Sequence, residues 1–316
     1  MLNVFLCEPI HPRALALLKS RAEVFSNPAR LCRADAAISR NLRMDAAFLE
    51  QCPALKVIGI HGTGTDRVDL SEAARRGVRV VYAPGENAQS VAELIVGLTL
   101  SLARRVYQAD RMLQRGEAPA IADARLAGVE LYGKTLGLVG VGNIARRAAE
   151  IFRRAFGMDI VGYSPSLTDA RAARLGMARC ADVREVFARA DVVSIGVPLT
   201  PQTRGLVGAA ELAAAKPGAL LVNTARGGVV DEDALYRALT NGPLGAAACD
   251  VFAHEPPAPN LPLLRLPNFL ATPHLGAATD EALLRVGMCV VTQLLDVLDG
   301  KTPAHECTGE EQAAQA

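Results

Sequence analysis

Three short segments in the C-terminal half of this chain carry an arginine, a carboxylate and an imidazole: Asn-Thr-Ala-Arg-Gly-Gly at 223–228, Asp-Val-Phe-Ala-His-Glu-Pro at 250–256 and Thr-Pro-His-Leu-Gly at 272–276. Each sits at the end of an apolar run of strand character, where an open α/β sheet sends out its ligand-facing loops. Upstream, Thr135 to Ala145 reads Thr-Leu-Gly-Leu-Val-Gly-Val-Gly-Asn-Ile-Ala, the pattern of a strand, a glycine turn and a helix start. In Gly140-Val141-Gly142-Asn143-Ile144-Ala145 the first glycine allows a tight turn and the second lets backbone approach a pyrophosphate. The small Ala145 lets helix pack on strand, and the helix N-terminus offers free N–H groups to an anion. A dinucleotide turn combined with Arg226, Glu255 and His274 points to redox chemistry on a small anion.

The elements that must position these groups are legible as alternating strand-like and helical runs, the pattern of a parallel α/β fold. Strands are expected near 2–7, 57–60, 78–82, 136–141, 159–163, 191–197, 219–223, 244–250 and 269–272. Helix signals include a capping box at Asp69 and Glu72, a stop at Gly77, a start at Asp231 ending at Asn241-Gly242, and a long helix over 279–299. The longest apolar stretch, Leu94 to Ala103, is too short to span a bilayer and reads as a buried helix. The N-terminus, Met-Leu-Asn-Val-Phe-Leu-Cys-Glu-Pro-Ile, lacks a charged leader and reads as a first strand rather than a signal peptide. With 316 residues, two domains are the default. Lys and Arg total 34 against 33 Asp and Glu, and no basic stripe interleaved with aromatics points to nucleic acid. The seven cysteines, at 7, 32, 52, 180, 249, 289 and 307, are scattered and free of C-x-x-C spacing, which argues for reduced thiols in a cytoplasm. No H-x-x-x-H or clustered carboxylate spacing marks a metal site. Only the tail from Cys307 to Ala316 has a disordered composition.

From about Gly62 to the Lys301-Thr-Pro segment the chain resembles the NAD(P)-dependent D-2-hydroxyacid dehydrogenases. The resemblance implies two Rossmann-like or flavodoxin-like domains with parallel sheets. A discontinuous substrate domain over 1–98 and 288–316 would hold an inserted dinucleotide-binding domain over 99–287, with substrate in the cleft between them. It implies hydride exchange between NAD or NADP and C2 of a D-2-hydroxy or 2-keto acid of phosphoglycerate, hydroxypyruvate or glyoxylate type, in a homodimer. A dinucleotide-sensing corepressor on the same fold is the alternative, and formate- or phosphite-type dehydrogenase chemistry has no residues of its own in its favour.

By this resemblance Arg226 binds substrate, since a planar guanidinium grips a carboxylate with two parallel bonds; a structural ion pair at a strand end is the other reading. His274 and Glu255 match the family's acid–base pair. Imidazole suits proton delivery to a developing alkoxide near neutral pH, and a neighbouring carboxylate favours the protonated ring and fixes which nitrogen faces substrate. His254 reads as a surface residue, and His11 and His305 have no motif around them. Asp250 matches a residue facing the nicotinamide carboxamide, or else is a strand-end aspartate capping a turn. Pro198, Thr224, Ala225, His274 and Gly276 join Gly140, Gly142, Asn143 and Ile144 as cofactor contacts. Ser164 stands where the family commonly has an aspartate bonding the ribose hydroxyls, so a 2′-phosphate is not repelled and NAD and NADP both stay open. The amides of Gly62, Thr63 and Gly64 would hold the substrate carboxylate. His61 precedes them where phosphoglycerate-type members have arginine, which leaves a smaller or sulfonated acid open. Gly196 stands where the family often has histidine and has no assigned role. Asn87, Ser90 and Glu93 match a second family segment, though capping and packing explain them equally.

Overall fold

The computed structural model describes residues 2–121 and 123–307. The chain divides into two compact units, one formed by residues up to Asn87 together with those from Ala277 onward, the other by Ala88–Gly276. An interrupted unit thus holds an inserted one. The expected boundaries after 98 and 287 fall inside the helices Ala88–Ala103 and Asp280–Leu298. Each helix buries its apolar residues as one body: Val91, Ile95, Leu98 and Leu102 in the core of the inserted unit, Val286, Val290, Leu294 and Leu295 in that of the interrupted one. The division therefore precedes both helices.

The interrupted unit is a five-stranded parallel sheet of β1 (Leu2–Leu6), β2 (Ala22–Phe25), β3 (Ala36–Ser39), β4 (Val57–Ile60) and β5 (Arg79–Val81), in the order β2-β1-β3-β4-β5. Strands β3 and β4 are buried throughout, as expected of a parallel sheet covered on both faces. The helix Asp280–Leu298 lies close on β4, where a methyl group at Gly59 would sit 2.6 Å from Val290 Cγ1. The free edge of β5 is covered by Glu306 and Cys307: Cys307 N donates to Val80 O at 2.7 Å and the Arg79 guanidinium pairs with Glu306. The rest of the expected tail lies outside the described residues.

The inserted unit is a seven-stranded parallel sheet of β6 (Thr135–Val139), β7 (Asp159–Tyr163), β8 (Ala178–Arg179), β9 (Val192–Ile195), β10 (Leu220–Asn223), β11 (Ala246–Cys249) and β12 (Phe269–Ala271). Its order is β12-β11-β10-β9-β6-β7-β8, so the direction of winding reverses between β6 and β9. That reversal is the topological switch point, where open α/β sheets bind ligands beyond the carboxyl ends of their strands.

Asp69, Asp231 and Thr279 each cap a helix by accepting a backbone N–H three residues on. The capping box at Asp69 is only half made. Glu72 gives its carboxylate to Arg75 and Arg76, and the Asp69 N–H goes to Met44 O instead. Strands β2, β3 and β8 were not among those expected from sequence; they are two to four residues long and include alanine-rich or polar stretches with weak strand signal.

Candidate active site

At the switch point Gly140 has φ +94°, a conformation open to glycine, and a methyl group there would lie 2.6 Å from the Gly196 carbonyl oxygen. The ends of β6 and β9 meet at this contact, with Gly196 N donating to Val139 O at 2.7 Å. A side chain at Gly196 would itself meet only ordinary contacts, the first at 3.7 Å, so packing does not require glycine at that position. Gly142 precedes the helix Asn143–Phe156 with no side-chain cap, and no atom lies within 4 Å of where its methyl would be. Gly142 and Asn143 are exposed, Ile144 is half-buried and Ala145 is buried against the sheet. Uncapped N–H groups beside open space are what a pyrophosphate requires, and these residues fit a dinucleotide.

On the adenosine side, β7 ends at Tyr163 and Ser164 follows, its hydroxyl 3.5 Å from that of Ser166. Arg179 enters here from the neighbouring strand. It pairs in register with Gly162, and its Nε donates to Leu167 O at 2.8 Å, inside the loop that Ser164 opens. A guanidinium therefore stands beside this strand end, although sequence spacing puts the first arginine after Ser164 at Arg171.

The Arg226, Asp250, Glu255 and His274 segments come from the ends of β10, β11 and β12. Gly227 packs so closely on the following segment that a methyl there would fall 1.7 Å from Phe252 O, which locks the arginine loop to the glutamate loop. Arg226 is half-buried and its Nη1 donates to Ala225 O at 2.8 Å. Ala225 N in turn donates to Asn223 Oδ1 at 3.1 Å, so the Thr224-Ala225 backbone is fixed from below. Pro198 O accepts from the Thr203 hydroxyl. Glu255 accepts from Phe252 N through Oε1 at 3.2 Å and faces His274 Nδ1 through Oε2 at 3.0 Å. Side-chain exposure is 36% for His274 and 20% for Glu255, so the pair is partly withdrawn from water with its ring accessible. The structure thus brings together the two groups expected to act on one proton.

Asp250 is 1% exposed, and its carboxylate accepts from Thr272 Oγ1, Leu275 N and Gly276 N at 2.6, 2.7 and 2.8 Å. Capping of a turn, one of its two sequence readings, is thus seen directly. The Gly276 amide is likewise committed to Asp250.

In the other unit, Gly62, Thr63 and Gly64 follow β4. Gly62 exchanges backbone bonds with Ile60 and Ala83, and the Thr63 hydroxyl donates to Asn87 Oδ1 at 3.1 Å. On the helix Ala88–Ala103 of the inserted unit, Ser90 is buried and Glu93 accepts from Gln89. His61 is 4% exposed, beneath the helix Asp280–Leu298, where a methyl at Gly287 would lie 3.5 Å from its Nε2. That nitrogen is buried without a hydrogen-bond partner. Burial, reinforced by the nearby Arg40 charge, lowers the His61 pKa to about 4, so the ring is neutral at pH 7.

A family model described as D-isomer specific 2-hydroxyacid dehydrogenase, NAD binding domain, matches residues 96–276. The chain belongs to this family. It is 40% identical over 310 residues to D-3-phosphoglycerate dehydrogenase of Methanocaldococcus jannaschii, covering 95% of this chain and 58% of that one. The chain thus spans little more than half the length of that relative. It is 40% identical over 258 residues to hydroxypyruvate reductase of Thermotoga maritima, covering 81% of this chain and 82% of the other. A Thermus thermophilus protein of known structure superposes with a TM-score of 0.89 at 35% identity, over 97% of this chain and 100% of that one. A nicotinamide dinucleotide is the cofactor class of the family's matched domain.

Arg179 is the site candidate that sequence reasoning missed, because only strand pairing brings it beside Gly162 and the loop after β7, where it also lies 3.7 Å from Asp169. His254 is exposed, as expected. His11 caps the helix Pro12–Lys19 and His305 packs edge-on against Tyr82. Among the described residues no three His, Cys, Asp or Glu side chains are placed to hold a metal ion, and no helix is long and apolar enough to cross a membrane.

The His61 environment predicts a stability profile. Unfolded histidine titrates near 6.5, whereas folded His61 stays neutral down to about pH 4. As pH falls through that window the unfolded chain gains a proton that the folded chain refuses, so stability drops by up to about 3 kcal/mol. Urea midpoints at pH 7 and pH 4.5 should separate accordingly, and His61→Gln should reduce the separation; an unchanged separation would contradict the assignment.

Proposed function

We propose that this chain is an oxidoreductase that interconverts a D-2-hydroxy acid and its 2-keto acid with a nicotinamide dinucleotide. The observation that carries the reading is the Glu255–His274 pair, 3.0 Å apart, on the same sheet as a dinucleotide turn. The dinucleotide, when bound, supplies or accepts hydride at the substrate C2. Nδ1 of His274 faces Glu255, so Nε2 is the nitrogen that gives a proton to the carbonyl oxygen during reduction and takes it back during oxidation. Arg226 orients the carboxylate and the carbonyl by its two-pronged geometry. Asn143, Ile144, Pro198, Thr224 and Ala225 line the cofactor.

Within this class a small unphosphorylated acid, of glyoxylate or hydroxypyruvate type, is the preferred substrate. The support is His61, whose buried neutral ring offers a phosphate no charge. The M. jannaschii relative's name points to phosphoglycerate and the T. maritima relative's to hydroxypyruvate. A reducing compartment fits seven cysteines that form no disulfide, of which burial pushes Cys7 up to about 12 and Cys52 to about 11. A homodimer is supported by the inserted unit's surface, where Val106, Leu113, Ile121, Val129 and Tyr132 are exposed within one stretch. Sedimentation should show a dimer that Leu113→Glu with Tyr132→Glu weakens; a wild-type monomer at micromolar concentration would exclude it.

Absorbance at 340 nm, with NADH or NADPH against glyoxylate, hydroxypyruvate, phosphohydroxypyruvate, pyruvate and sulfopyruvate, tests the activity directly. Oxidation that depends on an unphosphorylated acid is expected, and no turnover with any pairing sinks the proposal. His274→Asn should lower kcat by about 10² to 10⁴ with dinucleotide binding kept, the usual worth of a positioned proton donor. Glu255→Gln should be milder, while Arg226→Lys should depress kcat/KM because a point charge lacks the fork. Full activity in His274→Asn removes the mechanism.

Both dinucleotides should support turnover, since Ser164 leaves the 2′ position unrepelled and Arg179 offers it positive charge. Ser164→Asp should shift preference towards NAD, and Arg179→Met should weaken NADPH more than NADH. Wild-type rejection of NADPH by more than about a thousandfold, roughly 4 kcal/mol, would place the choice elsewhere.

A further inference from the structure

His274 has φ 57°, one of two described non-glycine residues in the left-handed region, the other being Arg105. An L-residue adopts this conformation at a cost, and it persists where the surroundings impose it. The surroundings here are chiefly one residue, Asp250, beside a local bond from His274 N to Thr272 O at 3.1 Å. Asp250 Oδ1 accepts from Thr272 Oγ1 and Leu275 N, its Oδ2 accepts from Gly276 N, and its backbone oxygen accepts from His274 N at 2.9 Å. Asp250 is itself pinned, its N–H donating to Asn223 O at 2.9 Å at the end of β10. Donors on both sides of His274 thus converge on a single residue, and a methyl at Gly276 would already press to 3.3 Å from Oδ2.

We infer that Asp250 is a positioning residue: its buried carboxylate imposes the left-handed turn at 272–276 and thereby sets the direction of the His274 ring against Glu255. This rests on the reading of His274 as the proton donor. A carboxylate accepts at both oxygens, whereas an amide accepts at one and donates at the other. In Asp250→Asn, therefore, either Gly276 N–H faces an N–H donor, or the amide flips and the Thr272 and Leu275 bonds are lost. The turn relaxes and the ring leaves its place, while the dinucleotide turn at Gly140–Ala145, built on β6, is untouched.

The decisive experiment is a double-mutant cycle on the full chain, read by kcat for keto-acid reduction and by dinucleotide Kd from NADH fluorescence. Asp250→Asn alone should lower kcat at least tenfold with Kd within threefold of wild type. Placed in the His274→Asn background it should cost nothing further, because its effect acts through the imidazole. Thr272→Val, which deletes one donor and keeps the shape, should give a smaller loss of kcat and settles the matter if Asp250→Asn does not fold. Wild-type kcat in the variants, or losses that multiply in the double variant, would overturn the inference. So would a Kd raised tenfold with kcat kept, which would make Asp250 a cofactor contact. Full activity in His274→Asn would instead defeat the reading of His274 on which it rests.

Discussion

A single buried carboxylate joins the end of β11 to the turn after β12, and the rest of the site is arranged around that junction. Burying a charge is costly unless hydrogen bonds replace the lost water, and Asp250 obtains three from one short turn. The exchange works in both directions: the turn satisfies the carboxylate, and the carboxylate holds His274 in a backbone conformation it would otherwise avoid. Glu255, held by its local bond to Phe252 N, then meets the ring. Pre-organisation of this kind places the proton donor before substrate arrives.

The same economy governs the strand ends of the inserted unit. Parallel strands bring their carboxyl ends to one edge, so β6 delivers the dinucleotide turn, β7 and β8 the adenosine side, and β10, β11 and β12 the Arg226, Asp250 and His274 segments. Two glycines make the approaches close enough: Gly140 against the Gly196 carbonyl and Gly227 against Phe252 O. The second contact couples the arginine loop to the glutamate loop by shape alone. Side chains placed on different strands therefore act as one unit without a direct bond between every pair.

Much of this was legible from residue order. Arg226, Glu255 and His274 stood out because each closes an apolar run, and strand ends carry function in this kind of fold. The glycine turn at Gly140–Ala145 was readable for the same reason, as were the cap at Asp231 and the helix over 279–299, whose cap at Thr279 only the structure shows. What escaped depends on contacts distant in sequence. Arg179 reaches the loop after β7 only through the two-residue strand β8, too short to signal itself. Glu72 has the spacing of a capping box but finds two arginines within reach. The neutrality of His61 comes from a helix more than two hundred residues away in the chain. Both readings of Asp250 were open in sequence, and only its three donors show the turn it holds.

The account turns on the Glu255–His274 hydrogen bond, and nuclear magnetic resonance of the full chain, labelled with ¹⁵N in histidine, observes it most directly. The wild-type protein should show a downfield, slowly exchanging Nδ1–H proton assigned to His274, and Glu255→Gln should shift or abolish it while the other histidine signals stay in place. Absence of that resonance, or one unchanged by the substitution, would contradict the account.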